Sequence, residues 1–340
     1  MGGYGVGLRS KWAQAAGLVH AAFLAWLVAF APLARASEAE EIFDAVLTVR
    51  AEIPEDARTA RSLGVRREGT GVVIGENGLV LTIGYLVLEA HRIQVVTRDG
   101  TVLPASMVGY DANSGFGVVR VIGPLKARPV AIGNSENLKK DDPVLIVSAS
   151  GGMEVKSAMV ASRRTFAGYW EYLLEDAIFT VPAVPNYAGA ALFDTELKLV
   201  GVGSLFVPNA AAKGTTFPGN MFVPTERLGP ELPALVATGR PQAAPKPWLG
   251  LYATEMMGRV IVTRVALEGP AHLAGLERGD IILTVAGREI TTLEELFRAL
   301  WSTGEAGVSV PLKFLHGSRV REMAIKSRDR YTHYKFAKKQ

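Results

Sequence analysis

Between Gly69 and Val223 the apolar residues come in short, β-branched runs. They are "GTGVVIG" (69–75), "LVLTIGYLV" (79–87), "RIQVVTR" (92–98), "ASMVGYD" (105–111), "FGVVRVIG" (116–123), "PVLIVSAS" (143–150), "AMVASRRTFAG" (158–168), "DAIFTVPAV" (176–184), "KLVGVGSLFV" (198–207) and "NMFVP" (220–224). Turn signals such as "ENG" (76–78), "RDG" (98–100) and "GNSEN" (133–137) punctuate them. Many short strands at regular spacing predict an all-β barrel or sandwich. Upstream, "SEAEEIFDAVLTVRAEIP" (37–54) opens acidic, with Ile42, Phe43, Val46 and Leu47 at helical spacing, although "AVLTVRAEI" reads equally as a first strand.

The pattern changes after Val223. "TERLGPELPALVATG" (225–239) reads as a closing helix. "RPQAAPKP" (240–247) has three prolines and no apolar period, so it reads as a semi-rigid linker. A smaller unit follows at 248–326. In it "VIVTRVA" and "DIILTVAG" read as strands, and "PAHLAG" as a helical turn ended by Gly275. "TTLEELFRALW" reads as a helix capped by Thr291 or Thr292, with Leu293, Leu296, Phe297 and Leu300 on one face. "VSVPLKFLHGSRVREMAIK" reads as a hairpin with an "HG" turn.

Composition narrows the class. A 340-residue chain with 49% hydrophobic residues can build two or three cores. Residues 1–36 have the form of an export signal. Arg9 and Lys11 give a positive start, "AGLVHAAFLAWLVAFAPLA" (16–34) is apolar, and "ARA" (34–36) ends in small residues, so cleavage after Ala36 is expected. The rival is an uncleaved membrane anchor, since the apolar stretch approaches a bilayer span. Pro32 and the small-residue exit favour cleavage. There is no cysteine, so disulfides and thiolate metal sites are excluded. His91, His272, His316 and His333 are scattered without paired ligand spacing, so neither a metal nor a cofactor is expected. Residues 1–36 carry three Lys/Arg and no acid, which leaves 34 basic against 33 acidic side chains. The last fifteen residues, "KSRDRYTHYKFAKKQ" (326–340), hold six basic and one acidic residue, so the folded body is mildly acidic. That argues against a nucleic-acid protein. The basic tail (327–340) reads as a solvated, frayed end, or more sharply as a weak contact with anionic lipid or an acidic partner.

This arrangement resembles the HtrA/Deg family of exported proteases: signal, trypsin-like double β-barrel, linker and PDZ domain. "GTGVVIGENGLVLT" (69–82), "GYDANSGFGVVRV" (109–121), "AIGNSENLKKDDPVLIVSASGG" (131–152) and "GNMFVP" (219–224) are its landmarks. The resemblance implies a mainly β fold, with a trypsin-like domain at 37–239 and an α+β PDZ domain at 248–326. It also implies a homotrimer or a place in an envelope complex, in the periplasm.

The family's catalytic positions are the exception. The pattern "TNxHVV" falls on "TIGYLV" (82–87) and puts Tyr85 at the histidine. "SDIAL" falls on "SGFGV" (114–118) and puts Gly115 at the aspartate. "NPGNSGGPL" falls on "VPNYAGAAL" (184–192) and puts Ala188 at the serine. The intervals of 30 and 73 residues are close to the family's own, so the alignment has not slipped. Alanine has no oxygen to attack with, and a phenol of pKa about 10 is a poor general base near neutrality. Asn186 also stands where the family has a glycine that serves the oxyanion turn. The resemblance therefore implies a pseudoprotease. "SASGG" (148–152) mimics a serine signature at Ser150, but no histidine is placed to serve it. Tyr85 and Tyr187 read as packing in the vacated cleft, or as the lining of a repurposed ligand site.

The PDZ-like unit keeps its binding signature. "WLGL" (248–251) matches the loop whose amides hold a peptide's terminal carboxylate in such domains, with "YATEM" (252–256) as the strand the peptide joins. Trp248, Leu249, Gly250, Leu251, Leu296 and Leu300 are the expected peptide-binding residues, although the leucines also suit a core. The expected function is protein binding through the PDZ domain, as scaffold, adaptor or chaperone-like factor. The alternatives are an active periplasmic serine endopeptidase with a relocated triad and a structural subunit of an envelope complex.

Overall fold

A computed structural model describes residues 40–336. The export signal expected over 1–36 lies outside the described residues, among which no helix is long and apolar enough to cross a membrane.

The β-branched runs close into two barrels. The first holds β1 (Val46–Glu52), β2 (Arg66–Gly75), β3 (Leu79–Ile83), β4 (Arg92–Val96), β5 (Val102–Tyr110) and β6 (Phe116–Val121), in the closed order β1-β2-β3-β6-β5-β4. The second holds β7 (Pro143–Ser148), β8 (Glu154–Gly168), β9 (Tyr172–Val181), β10 (Ala191–Phe193), β11 (Leu199–Val207) and β12 (Gly219–Pro224), in the closed order β10-β11-β12-β9-β8-β7. Closure decides between barrel and sandwich. The β1–β4 and β10–β7 ladders leave neither sheet an open edge. Ile146, Val160, Ile178, Leu192, Val200 and Phe222 fill the second barrel. Val147, Phe179, Phe193, Val202 and Val223 belong instead to the first barrel's cluster, so the barrels share one apolar seam.

Context settles one open local reading and corrects two. The stretch from Glu40 is helical to Ala45 and then becomes β1, because Val46 pairs with Val72. The run 79–87 is strand only to Ile83 and turns into a short helix, Gly84–Val87. The closing helix is two pieces, a 3-10 turn (Thr225–Arg227) and a helix (Leu232–Thr238), separated around Gly229-Pro230, where proline disfavours helical backbone before it.

The third unit is a sheet ordered β13-β14-β15-β17-β18, with a short β16 paired to β15. Its strands are β13 (Leu251–Met256), β14 (Arg259–Val265), β15 (Ile281–Val285), β16 (Arg288–Glu289), β17 (Ser309–His316) and β18 (Arg319–Lys326). The closing hairpin forms, but its turn is Gly317-Ser318 rather than "HG", since His316 still pairs with Arg319. The helix Leu293–Trp301 starts at Thr292, whose hydroxyl accepts from the Glu295 amide while the Glu295 carboxylate accepts from the Thr292 amide. This is a capping box.

The described part of the basic tail is not frayed, which corrects the expectation of a solvated end. Trp248 and Arg328 pair through both backbone N–H groups, at 3.1 and 3.0 Å. Arg330 and Tyr331 are buried, and the Tyr331 hydroxyl donates to the Tyr110 carbonyl at 3.1 Å. The Lys335 amide donates to Glu89 at 2.7 Å. Aromatic area outweighs charge here: Tyr331, Tyr334 and Phe336 pack with Tyr110 and Leu88. The linker is anchored too, with Arg240 paired to Asp329 at 3.0 Å and Lys246 set over the Trp301 ring.

This docking carries a pH signature. His333 packs on Trp248, ring centroids 4.6 Å apart. Burial drags its imidazole from 6.5 down to about 4, with Arg58 and Arg328 adding to the shift and Glu89 and Glu268 opposing it. The folded state binds this proton less readily than the unfolded chain. The contribution is therefore whole above about pH 6.5 and is lost as pH falls toward 4. Melting curves across that window should show a falling Tm, and His333→Phe should flatten part of the fall. Equal slopes in the two proteins would refute the assignment.

Candidate functional site

The fold gathers the three triad-like positions round the short helix Gly84–Val87. Its Gly84 amide donates to the Gly115 carbonyl at 2.7 Å. The Ala188 carbonyl accepts from the Thr70 amide at 2.8 Å, and a Cβ built on Gly69 would meet both Leu86 and that same carbonyl. Tyr85, Gly115 and Ala188, far apart in sequence, thus share one cleft between the barrels.

The groups around these positions are hydrogen-bonded within the protein. The Tyr85 hydroxyl donates across the cleft to the Ser204 carbonyl on β11, at 2.8 Å. Burial, with Tyr187 close by, pushes the Tyr85 phenol well above its usual range, so it holds its proton. A side chain at Gly115 would grow toward Tyr172, whose hydroxyl donates to the Ser114 carbonyl at 2.6 Å. The nearby carboxylate of Asp111 is spent on its own turn, accepting from the Asn113 and Ser114 amides and the Ser114 hydroxyl. Asn186 does not take positive φ; Gly189 does, at 75°. Asn186 points its amide toward Glu154 at 3.3 Å.

The described histidines lie elsewhere. His91 and His272 are exposed, His316 pairs with Asp280 at 2.8 Å in the third unit, and His333 sits on Trp248. The Ser150 hydroxyl donates to Glu68 at 3.2 Å, and Glu68 is in turn paired with Arg50. A carboxylate already engaged by a guanidinium is a weak base for that hydroxyl.

The second candidate is the loop Trp248–Leu251 with the edge of β13. Leu249, Leu251, Leu296 and Leu300 are fully buried in one cluster, and Trp248 is buried against the tail. Gly250 takes φ +82°, which turns its neighbours' amides to the same side. These amides are engaged. Leu249 N–H and Leu251 N–H donate to the Glu171 carboxylate at 3.2 and 2.6 Å. Two residues along the edge, Ala253 N–H donates to the Tyr169 carbonyl at 2.9 Å. Tyr169 and Glu171 belong to the turn between β8 and β9 of the second barrel, and Glu171 is buried there at φ +54°. Burial pushes the Glu171 carboxyl up, while Arg330 and the loop amides pull it back. Ala167 and Leu173, on the same hairpin, pack against the third unit's core. Sequence reasoning passed over Glu171 and Arg330, since a lone glutamate in "YWEY" and an arginine in a basic tail carry no local sign of pairing.

Two closed six-stranded barrels with a cleft between them, followed by a sheet-and-helix unit with a glycine-bent amide loop, define a trypsin-like domain joined to a PDZ domain. Residues 69–202 match the trypsin-like peptidase domain family and residues 247–326 the PDZ domain family. Both domains, in this order, and the relatives the chain matches support a member of the HtrA/Deg family. It is 30% identical over 286 residues to the serine protease PepD of Mycobacterium tuberculosis, covering 76% of this chain and 60% of that protein. It is 25% identical over 288 residues to the serine protease Do-like HtrA of Bacillus subtilis, covering 76% and 63%. A probable periplasmic serine endoprotease DegP-like of Pseudomonas fulva is 27% identical over 72% of this chain and 53% of its own length. The chain thus spans between half and two thirds of these relatives. The HtrA-type protease AlgW, solved with a decapeptide, shares the fold at TM-score 0.52 and 20% identity, over 86% of this chain and 97% of that one. A serine endoprotease from Yersinia pestis does so at TM-score 0.51 and 22% identity, over 85% and 96%.

Proposed function

We propose that this chain is an exported, periplasmic HtrA-type pseudoprotease, a scaffold, adaptor or chaperone-like factor that holds protein partners by their C-terminal peptides through its PDZ domain. The observation that carries the reading is the cleft. Its histidine-, aspartate- and serine-like positions hold Tyr85, Gly115 and Ala188, and the tyrosine hydroxyl bridges the barrels to the Ser204 carbonyl. Without a nucleophile and its base, residual turnover rests on oxyanion contacts alone, about 10³–10⁴-fold over water. Export follows from the form of residues 1–36, and the periplasm also from relatives named as periplasmic endoproteases. Peptide binding follows from the amide loop at Leu249–Leu251 and from β13 as the terminal strand of its sheet, paired with β14 alone among the strands.

A fluorophosphonate serine-hydrolase probe tests the first half. The chain should stay unlabelled at a concentration that saturates an active HtrA protease. Labelling that vanishes in Ser150→Ala would establish a relocated nucleophile and end the pseudoprotease reading.

A further inference from the structure

We propose that the PDZ groove is closed by an internal ligand: the Glu171 carboxylate stands in for a partner's C-terminal carboxylate and Tyr169 for its added strand, so a partner must displace the β8–β9 hairpin to bind. This rests on the reading that the groove takes peptide C-termini.

The contacts are those a terminal carboxylate would make. Both Glu171 oxygens are used, Oε2 by Leu249 N–H and Oε1 by Leu251 N–H. The Ala253 amide, on the same edge of β13, is satisfied by the Tyr169 carbonyl as by a strand laid beside it. An ordinary domain contact has no need of this. Burying a carboxylate costs several kcal/mol before its partners repay it, in general about as much as a hydrophobic pair would have given free of cost. Glu171 also sits in the left-handed region, the last position of a three-residue hairpin turn where glycine is preferred. A residue chosen for the turn alone would be glycine.

Phe166, Trp170 and Tyr172 hold the hairpin to the barrel core, whereas toward the PDZ unit and tail its other contacts are few, among them the Tyr169 ring against Tyr252 at 6.2 Å. Arg330 donates to the Glu171 main-chain carbonyl from the tail. Ala167 and Leu173 supply the apolar contact with the PDZ core. Arg298 reaches Glu175 at 2.9 Å, but both side chains are about half exposed, and such pairs contribute little. Tyr169, at the tip, is 56% exposed. An incoming free carboxylate would remake the same amide hydrogen bonds. Exchange is therefore close to neutral in hydrogen bonds, and it is governed by how often the hairpin is out.

The test uses the full chain and a pool of fluorescein-labelled decapeptides with free Leu, Val, Ile, Phe, Met or Tyr C-termini, read by anisotropy, with the amidated pool as control. Glu171→Gly removes the carboxylate and suits the turn, and Glu171→Gln keeps the shape without the charge. Each should lower the apparent Kd of the free-carboxylate pool by at least about tenfold relative to wild type, because the competing closed state is lost. The amidated pool should bind neither form. Folded variants that bind no tighter than wild type overturn the latch. If wild type then still binds in a carboxylate-dependent way, the PDZ reading stands. If no form binds a free carboxylate, both readings fall. Should the variants lose their fold, hydrogen exchange on wild type decides. Amides of residues 166–173 should exchange faster once the pool is bound, and unchanged protection with peptide in place overturns the proposal.

Discussion

Replacing Gly189 with alanine should cost about 3–5 kcal/mol, the largest loss expected from a single methyl group in this protein. Gly189 sits at φ +75°, where a side chain costs about 1–2 kcal/mol. A Cβ there would also lie 1.9 Å from the Thr70 carbonyl oxygen and 2.8 Å from the Thr82 hydroxyl. Neither can retreat. Thr70 and Thr82 are wholly buried, and the Thr82 hydroxyl donates to that same Thr70 carbonyl at 2.6 Å. The Gly189 amide is committed to the Gly203 carbonyl at 2.8 Å, and the preceding Ala188 carbonyl to Thr70 N–H at 2.8 Å. The methyl would wedge the barrels apart where they seal. Guanidinium denaturation of Gly189→Ala measures this, with Gly100→Ala as the control. Gly100 has φ +84° and open space around it, so it should cost only the backbone share, about 1–2 kcal/mol. Equal losses at the two positions would mean that the barrels do not meet at Gly189. The packing between the barrels requires a glycine here, whatever the chemistry of the site.

Arg330→Ala should cost about 1–3 kcal/mol of the free energy that docks tail, hairpin and PDZ domain together. Arg330 is buried, donates to the Glu171 carbonyl, and has Glu171 and the Tyr110, Tyr252 and Tyr334 phenols as its electrostatic neighbours. Removing it leaves the buried Glu171 carbonyl without its donor and takes a nearby positive charge away from the Glu171 carboxylate. The loss should be local. The barrels have their own cores, so the PDZ unit and tail should loosen before the barrels unfold. Trp170, Trp248 and Trp301 all lie at this junction: Trp170 in the hairpin turn, Trp248 against His333 and Trp301 under Lys246. Tryptophan fluorescence during urea denaturation should therefore shift to lower midpoint while far-UV circular dichroism keeps its main transition. Coincident, unshifted transitions would show that Arg330 is not part of the clamp. Glu171→Gln/Arg330→Met should recover part of the loss, since it removes both charges rather than one.

Much of the architecture was legible before any coordinates. The period of the apolar runs marks nearly every strand, because a residue on a pleated sheet faces core or solvent by simple alternation. The helix over Leu293–Trp301 is announced by Thr292 and Glu295, and the last hairpin by Gly317. The convergence of Tyr85, Gly115 and Ala188 was readable only through the family's spacing, since nothing local to those residues says that they meet. The opposite holds for the tail. Its charges suggested a solvated end, but Tyr331, Tyr334 and Phe336 bury against Tyr110, a partner more than two hundred residues away.

By itself the sequence determined where most strands fall along the chain and which residue types stand at the three triad-like positions, because each depends on residue type and near neighbours. The apolar pattern left barrel and sandwich open, the family resemblance pointed to barrels, and tertiary structure alone decided that the PDZ loop receives a carboxylate from its own chain. Glu171 meets Leu249 and Leu251 across about eighty residues, and a hydrogen bond of that reach exists only once the intervening chain has folded.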